Sequence, residues 1–153
     1  MLNQLLAEKA VELGASAWRS VVYERSRSVM PRGEGDAFRE KLRFRMIAAL
    51  QQSGGAWLPE LLAEAEAPAI IGTGAEGHAI LLDPGGQPFR DVLAESHTPL
   101  LLALGPEGGL EPAERSTFVE SGWRTASLGD NILRFETAGI AGLALARALL
   151  QTT

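Results

Sequence analysis

The sequence predicts an α/β domain with a mostly parallel sheet and helices on both faces. Three observations carry this. Strand patterns alternate with helical spacing along the chain, the order that a parallel sheet requires. Pro99–Leu104 is wholly apolar, the pattern of a strand buried on both faces. Two glycine-containing loops, Leu104-Gly105-Pro106-Glu107-Gly108-Gly109 and Leu128-Gly129-Asp130-Asn131-Ile132-Leu133-Arg134-Phe135-Glu136-Thr137-Ala138, each lie between a strand pattern and a helix pattern.

The first element is a helix over residues 2–13, with Leu2, Leu5, Leu6, Lys9 and Leu13 along one side and Gly14 as its stop. Trp18–Tyr23 fits a strand, because Val21, Val22 and Tyr23 suit a pleated surface. Glu24-Arg25-Ser26 leaves the strand end, and Pro31, Gly33 and Gly35 place a loop over 29–35. Asp36 can cap a helix running to about Gln52, with Phe38, Leu42, Met46, Ala49 and Leu50 at helical spacing and Gly54-Gly55 ending it. Residues 60–67 fit a short helix before Pro68. Ala69–Ile71 and Ala79–Leu82 fit short strands, and Asp83-Pro84-Gly85-Gly86 is a strong turn. Phe89–Ala94 fits a short helix, Glu111–Ser121 a helix with Pro112 at its start and Gly122 at its stop, and Trp123–Leu128 a strand. The last helix, Thr137–Gln151, is apolar almost all round through Ile140, Ala141, Leu143, Leu145, Ala148, Leu149 and Leu150. Such a helix must be covered on more than one side, which a homodimer interface would do.

A chain of 153 residues suits one domain with a real core. No stretch reaches the roughly 18 uninterrupted apolar residues of a membrane span. The N-terminus lacks the basic, apolar, small-residue order of a signal peptide, which predicts a cytoplasmic location. Cysteine is absent, which excludes disulfides, thiolate metal sites and a cysteine nucleophile. His78 and His97 are too few and too scattered to suggest a metal site. The net charge of −5 is unevenly spread: residues 19–45 carry Arg19, Arg25, Arg27, Arg32, Arg39, Lys41, Arg43 and Arg45 against Glu24, Glu34, Asp36 and Glu40. That local basic patch can bind a phosphate backbone, and it equally describes a solvated helix face.

Gly72-Thr73-Gly74-Ala75-Glu76-Gly77 matches a dinucleotide-binding pattern by letter. Only five residues separate it from the Asp83 turn, too few for the helix that would receive a pyrophosphate. The plain alternative is a connection between two strands. Gly105–Gly109 lacks the Gly-Lys-Ser/Thr of a phosphate loop. Its glycines permit close backbone approach, and Glu107 and Glu111 suit a ligand carrying positive charge. Glu136 and Thr137 are also common residues at a helix start.

Taken together, these motifs resemble the RsmE family of ribosomal RNA methyltransferases, within the SPOUT superfamily of trefoil-knotted enzymes. The resemblance rests on Leu-Gly-Pro-Glu-Gly-Gly at 104–109 and Leu-Gly-x-x-Ile-Leu-Arg-x-Glu-Thr-Ala at 128–138. Lys9-Ala10-Val11-Glu12-Leu13-Gly14, Glu24-Arg25-Ser26 and Gln52-Ser53-Gly54 extend it over nearly the whole chain. Gly55 stands where the family commonly places an arginine. The resemblance implies a single SPOUT methyltransferase domain over 1–153, without the family's N-terminal RNA-binding barrel, and a C-terminal deep trefoil knot. It implies methylation of a uridine N3 in 16S ribosomal RNA of the small subunit by a homodimer. S-adenosylmethionine would be the donor, S-adenosylhomocysteine the product, and no metal would be needed.

Carried over by residue, the donor pocket would comprise Leu82, Leu104, Gly105, Glu107, Gly108, Gly109, Leu128, Gly129, Ile132 and Leu133. Arg134 and Glu136 would act at the uridine, with Arg25. Arg25, Ser26, Gln52 and Ser53 would contact RNA. The missing cysteine excludes the carbon-5 route of pyrimidine methylation. Two other readings stand beside this one: a non-catalytic module that binds donor and RNA, or a shortened homologue acting on another RNA. An NAD-dependent oxidoreductase would rest on Gly72–Gly77 alone.

Overall fold

The computed structural model describes residues 2–26, 35–73 and 78–150. In chain order the elements are α1 (Leu2–Glu12), β1 (Ala17–Trp18), β2 (Val21–Val22), a 3-10 turn (Glu24–Ser26), α2 (Gly35–Ser53), β3 (Glu60–Leu61), β4 (Ala65–Glu66), α3 (Ala67–Ile71), β5 (Ala79–Pro88), α4 (Phe89–Ala94), β6 (Leu101–Leu104), α5 (Pro112–Glu120), β7 (Arg124–Ser127) and α6 (Phe135–Leu150). All the described strand pairs are parallel: β1 with β3, β2 with β4, and a three-stranded sheet in the order β6-β5-β7. The predicted α/β class with parallel strands is the observed one.

Helix α1 buries Leu6, Ala7, Ala10 and Val11, while Leu5 is 37% exposed and Lys9 pairs with Glu12 at 2.7 Å. The predicted stripe through Leu5 and Lys9 is therefore rotated. Small residues explain the shift: Ala7 and Ala10 let α1 lie close to its neighbours, and a Cβ at Gly139 of α6 would stand 2.5 Å from Leu6. On α2 the predicted face holds, with Leu42 and Met46 buried and Phe38, Ala49 and Leu50 packed beside them. The loop predicted over 29–35 lies outside the described residues up to position 34.

Three elements differ from expectation between residues 17 and 71. The predicted strand Trp18–Tyr23 is two short pieces, and the predicted helix over 60–67 is strand. There the Glu60, Leu62 and Ala65 N–H groups donate to the Ser16, Trp18 and Ser20 carbonyls at 2.9–3.2 Å, so parallel pairing overrides local propensity. The predicted strand Ala69–Ile71 is helical, because Pro68 sits in the first turn of α3, where its missing N–H costs nothing. The Gly72–Gly77 run thus follows a helix and not a strand, which removes the premise of a dinucleotide loop; residues 74–77 lie outside the described residues.

In the main sheet the register is Leu82 opposite Leu104 on one side and Ala126 on the other. The predicted turn at 83–86 is an excursion inside β5: Leu82 and Gln87 both pair with Ala126, and the four residues between them leave the ladder. β6 is an edge strand, with Leu101 45% exposed and Leu102–Leu104 half-buried, so the predicted burial on both faces is not met within one chain. Helix α6 begins at Phe135, earlier than predicted, and packs Gly142 against Leu82 and Leu102. Its inner side is buried at Gly139, Gly142 and Ala146, while Leu145 and Leu149 remain 43% and 48% exposed.

Candidate functional site

The site is set by the sheet register. Because Leu104, Leu82 and Ala126 stand side by side, the loops after β6 and β7 leave the same edge, with only β5 between them. Two strand spacings separate their origins, roughly 10 Å. The carboxyl edge of parallel strands is where such sheets hold ligands.

The first loop turns tightly. Gly109 has φ +79°, a conformation that glycine adopts without strain, and its N–H donates to the Pro106 carbonyl at 2.9 Å. A Cβ at Gly105 would meet Leu110 at 3.1 Å. The loop runs into α5, where the Glu114 carboxylate reaches back to the Glu111 N–H at 3.1 Å and closes a capping box. Glu107 is exposed. The second loop turns at Gly129, φ +149°, braced by Ser127, whose hydroxyl donates to the Gly129 carbonyl at 2.8 Å.

The 3-10 turn Glu24–Ser26 docks on the first loop. Arg25 Nε donates to Glu111 Oε1 at 2.7 Å and Arg25 Nη1 to the Gly108 carbonyl at 2.9 Å. The Glu24 N–H donates to Glu114 at 2.9 Å. Ser26 is buried and caps its own turn, accepting from the Tyr23 N–H at 2.8 Å. Glu111 therefore spends its charge on Arg25, whereas the sequence suggested that it faces a cationic ligand.

A broad cleft that runs on between α1 and α2 includes Tyr23, Arg25, Ser26, Leu101–Leu104, Gly105, Glu107, Gly108 and Phe135 in its lining, and none of Leu128, Gly129, Ile132, Leu133, Arg134 and Glu136. The structure thus unites Arg25 and Ser26 with Leu104, Gly105, Glu107 and Gly108; Gly109 lies beside Arg25 but off the cleft lining. Leu82 and Leu128 are half-buried in one apolar cluster with Leu102 and Ala146 under the same edge. Ile132 is 84% exposed, Leu133 is half-buried, and Arg134 is exposed just ahead of α6. The Arg134 carbonyl accepts from the Ala138 N–H at 2.9 Å, closing the first turn of that helix. Phe135 and Glu136 lie inside α6, not ahead of it.

Gln52 and Ser53 are not brought to this edge within one chain. They are exposed at the end of α2, the Ser53 hydroxyl donates to the Leu50 carbonyl at 3.3 Å, and neither lines the cleft. Tyr23 and Phe135 line the cleft without a signal in the sequence, and Glu111 and Glu114 brace the first loop from the start of α5 without lining the cleft. The spacing of Glu111 and Glu114 at a helix start was the one available signal for the last two. Burial holds the Tyr23 phenol well above the usual tyrosine range, and the Glu114 carboxylate adds to this. Among the described residues no group of three or more His, Asp or Glu could hold a metal.

Solved structures share this architecture. A ribosomal RNA small subunit methyltransferase E from Neisseria gonorrhoeae, bound to S-adenosyl methionine, superposes with a TM-score of 0.87 at 27% identity, over 99% of this chain and 63% of that one. Lpg2936 from Legionella pneumophila, in complex with bound SAM, superposes with a TM-score of 0.86 at 25% identity, over 97% of this chain and 62% of that one. A Porphyromonas gingivalis protein at 24% identity shares the fold with a TM-score of 0.80, over 97% of this chain and 62% of that one. The chain thus spans less than two thirds of the length of these structures. No curated protein matches it. A family model describing an RNA methyltransferase domain matches residues 3–147, and the chain belongs to that family.

Proposed function

We propose that this chain is an S-adenosylmethionine-dependent RNA methyltransferase that methylates N3 of a uridine in 16S ribosomal RNA. The observation that carries the reading is the pair of glycine loops leaving one sheet edge on either side of Leu82, with Arg25 fastened to the first. The loops fit the donor: a Cβ at Gly129 would meet only open space, Gly109 and Gly129 supply positive-φ turns, and Glu107 offers an exposed carboxylate to a cation. Leu82, Leu104, Gly105, Glu107, Gly108 and Gly109 would hold it from one side, and Leu128, Gly129, Ile132 and Leu133 from the other. The donor supplies a methyl group on a sulfonium, a good leaving group that requires no metal.

The protein's work is alignment and proton management. Arg134 stabilises the oxyanion that develops on the base as N3 loses its proton. Glu136 accepts that proton or orients the ring. Arg25 contacts RNA at the mouth of the cleft, and Ser26, buried beneath it, holds the turn that presents it. Gln52 and Ser53, distant within one chain, join the site from the second subunit of a homodimer, which would also cover Leu145 and Leu149. Helix α6 is the C-terminal limb of a trefoil knot in this reading. The partner is the small ribosomal subunit, and the location is cytoplasmic.

The test is incubation with labelled S-adenosylmethionine and small subunits lacking the modification. Label at a uridine N3 is the expected product. Arg134→Ala should lower transfer by about 10² or more while donor affinity stays within about twofold. Transfer by that variant at the wild-type rate would remove Arg134 from the mechanism. Tight donor binding with no label from the unaltered protein would mark a non-catalytic module instead.

A further inference from the structure

Two carboxylates at the start of α5 join parts of the chain that lie far apart in sequence. Glu114 accepts from the Glu24 N–H on one oxygen at 2.9 Å and from the Glu111 N–H on the other at 3.1 Å. Glu111 accepts from Arg25 Nε at 2.7 Å, while Arg25 Nη1 donates to the Gly108 carbonyl at 2.9 Å. One guanidinium therefore rests on the helix and on the first glycine loop at once. Its planar fork holds the two donors in fixed geometry, which the rotating ammonium of a lysine would not. Three glycines widen the backbone conformations open to this loop, and Cβ atoms built at Gly108 and Gly109 would stand 3.7 and 3.5 Å from Arg25. Whatever fixes the loop fixes the Gly108 carbonyl, and with it one of the two anchors of Arg25.

We propose that Glu111 and Glu114 are positioning residues that make donor binding and RNA binding cooperative, acting through Arg25. This rests on the function proposed above, in which Gly105–Gly109 holds the donor and Arg25 touches RNA. With the loop occupied, RNA meets an arginine already in place and is spared the cost of ordering it. Linkage makes the effect reciprocal: RNA tightens the donor by the same factor.

The experiment measures binding, with the full chain, S-adenosylhomocysteine and unmodified small-subunit RNA as probes. In the unaltered protein, saturating S-adenosylhomocysteine should tighten RNA binding by about fivefold or more. Glu111→Gln keeps the shape and loses the charge. Its coupling should fall below about twofold, with S-adenosylhomocysteine affinity in the absence of RNA and melting temperature unchanged. Glu114→Gln, which loses one of two acceptor oxygens, should move the same way and serves if Glu111→Gln folds poorly. Adding Glu111→Gln to Arg25→Gln should cost RNA affinity nothing further. A purely structural role would lower both affinities together and leave their coupling intact. Unchanged coupling in both glutamine variants overturns the proposal, as does independent binding of the two probes to the unaltered protein. Failure of the underlying function looks different: the unaltered protein would then not bind one of the probes at all.

Discussion

Tyr23 shows how a single residue at the cleft couples the fold to pH. Its phenol is buried, and the Glu114 charge adds to the effect of burial, so the folded chain keeps it neutral well past the usual range. In the unfolded chain it ionises near pH 10, roughly the ordinary tyrosine value. Above that pH the unfolded state binds fewer protons than the folded one, so stability falls as pH rises. The contribution is complete below about pH 10 and is lost progressively above it, by at most about 1.4 kcal/mol per pH unit. Urea unfolding at pH 8 and pH 10.5 should show this loss, and Tyr23→Phe should remove most of it. Equal slopes in the two proteins would disprove the assignment. Single residues were unevenly legible in the sequence. Arg25 and Gly108 were named for the site from motifs, yet their hydrogen bond spans 83 positions and no local pattern could announce it. In sequence Glu111 suits a cationic ligand, and only the fold brings Arg25 to it across 86 positions.

At the scale of elements, local chemistry was a good guide where an element depends on itself. Phe89–Ala94 and the Pro112 start of α5 were legible because helix starts, stops and apolar spacing are encoded nearby. The two-residue strands β1 to β4 were not, since their hydrogen bonds come from segments some forty residues away. The excursion in β5 is an intermediate case. The residues Asp83-Pro84-Gly85-Gly86 did signal a turn, but only the register with β7 shows that the strand resumes beyond it. Asp83 pairs with Arg115 of α5, holding the excursion against that helix. Gly86 is the tightest point: a Cβ there would stand 2.5 Å from the Ala126 nitrogen and 2.6 Å from the Thr125 carbonyl carbon. Those are backbone atoms of β7 and cannot swing aside. Gly86→Ala should therefore cost about 2–3 kcal/mol, read as a lower urea midpoint. Gly85→Ala, with its nearest neighbours at 3.8–3.9 Å, should cost far less. Equal stability of the two variants would show that β7 yields.

For the whole molecule, the parallel α/β plan followed from alternation of patterns, whereas the pairing order β6-β5-β7 did not. The apolar run 99–104 fits a strand covered on both faces, yet in the fold it is an edge strand with Leu101 open on its surface. Leu145 and Leu149 of α6 are likewise 43% and 48% exposed. If the proposed homodimer covers α6, sedimentation at micromolar concentration should give twice the chain mass. Leu145→Glu with Leu149→Glu should give the single-chain mass with an unchanged circular dichroism spectrum. A single-chain mass for the unaltered protein would reject the dimer. One further consequence follows from the indoles. The Trp123 ring is sealed in the interior, donating to the Ile71 carbonyl at 2.8 Å and meeting Phe118 edge-on, whereas Trp57 is 86% exposed. Replacing Trp57 with phenylalanine would remove the exposed indole and leave emission from half-buried Trp18 and buried Trp123, the latter directly ahead of β7. Such a protein would carry its own optical gauge of whether the interior at the amino end of β7, opposite the glycine loops, is intact.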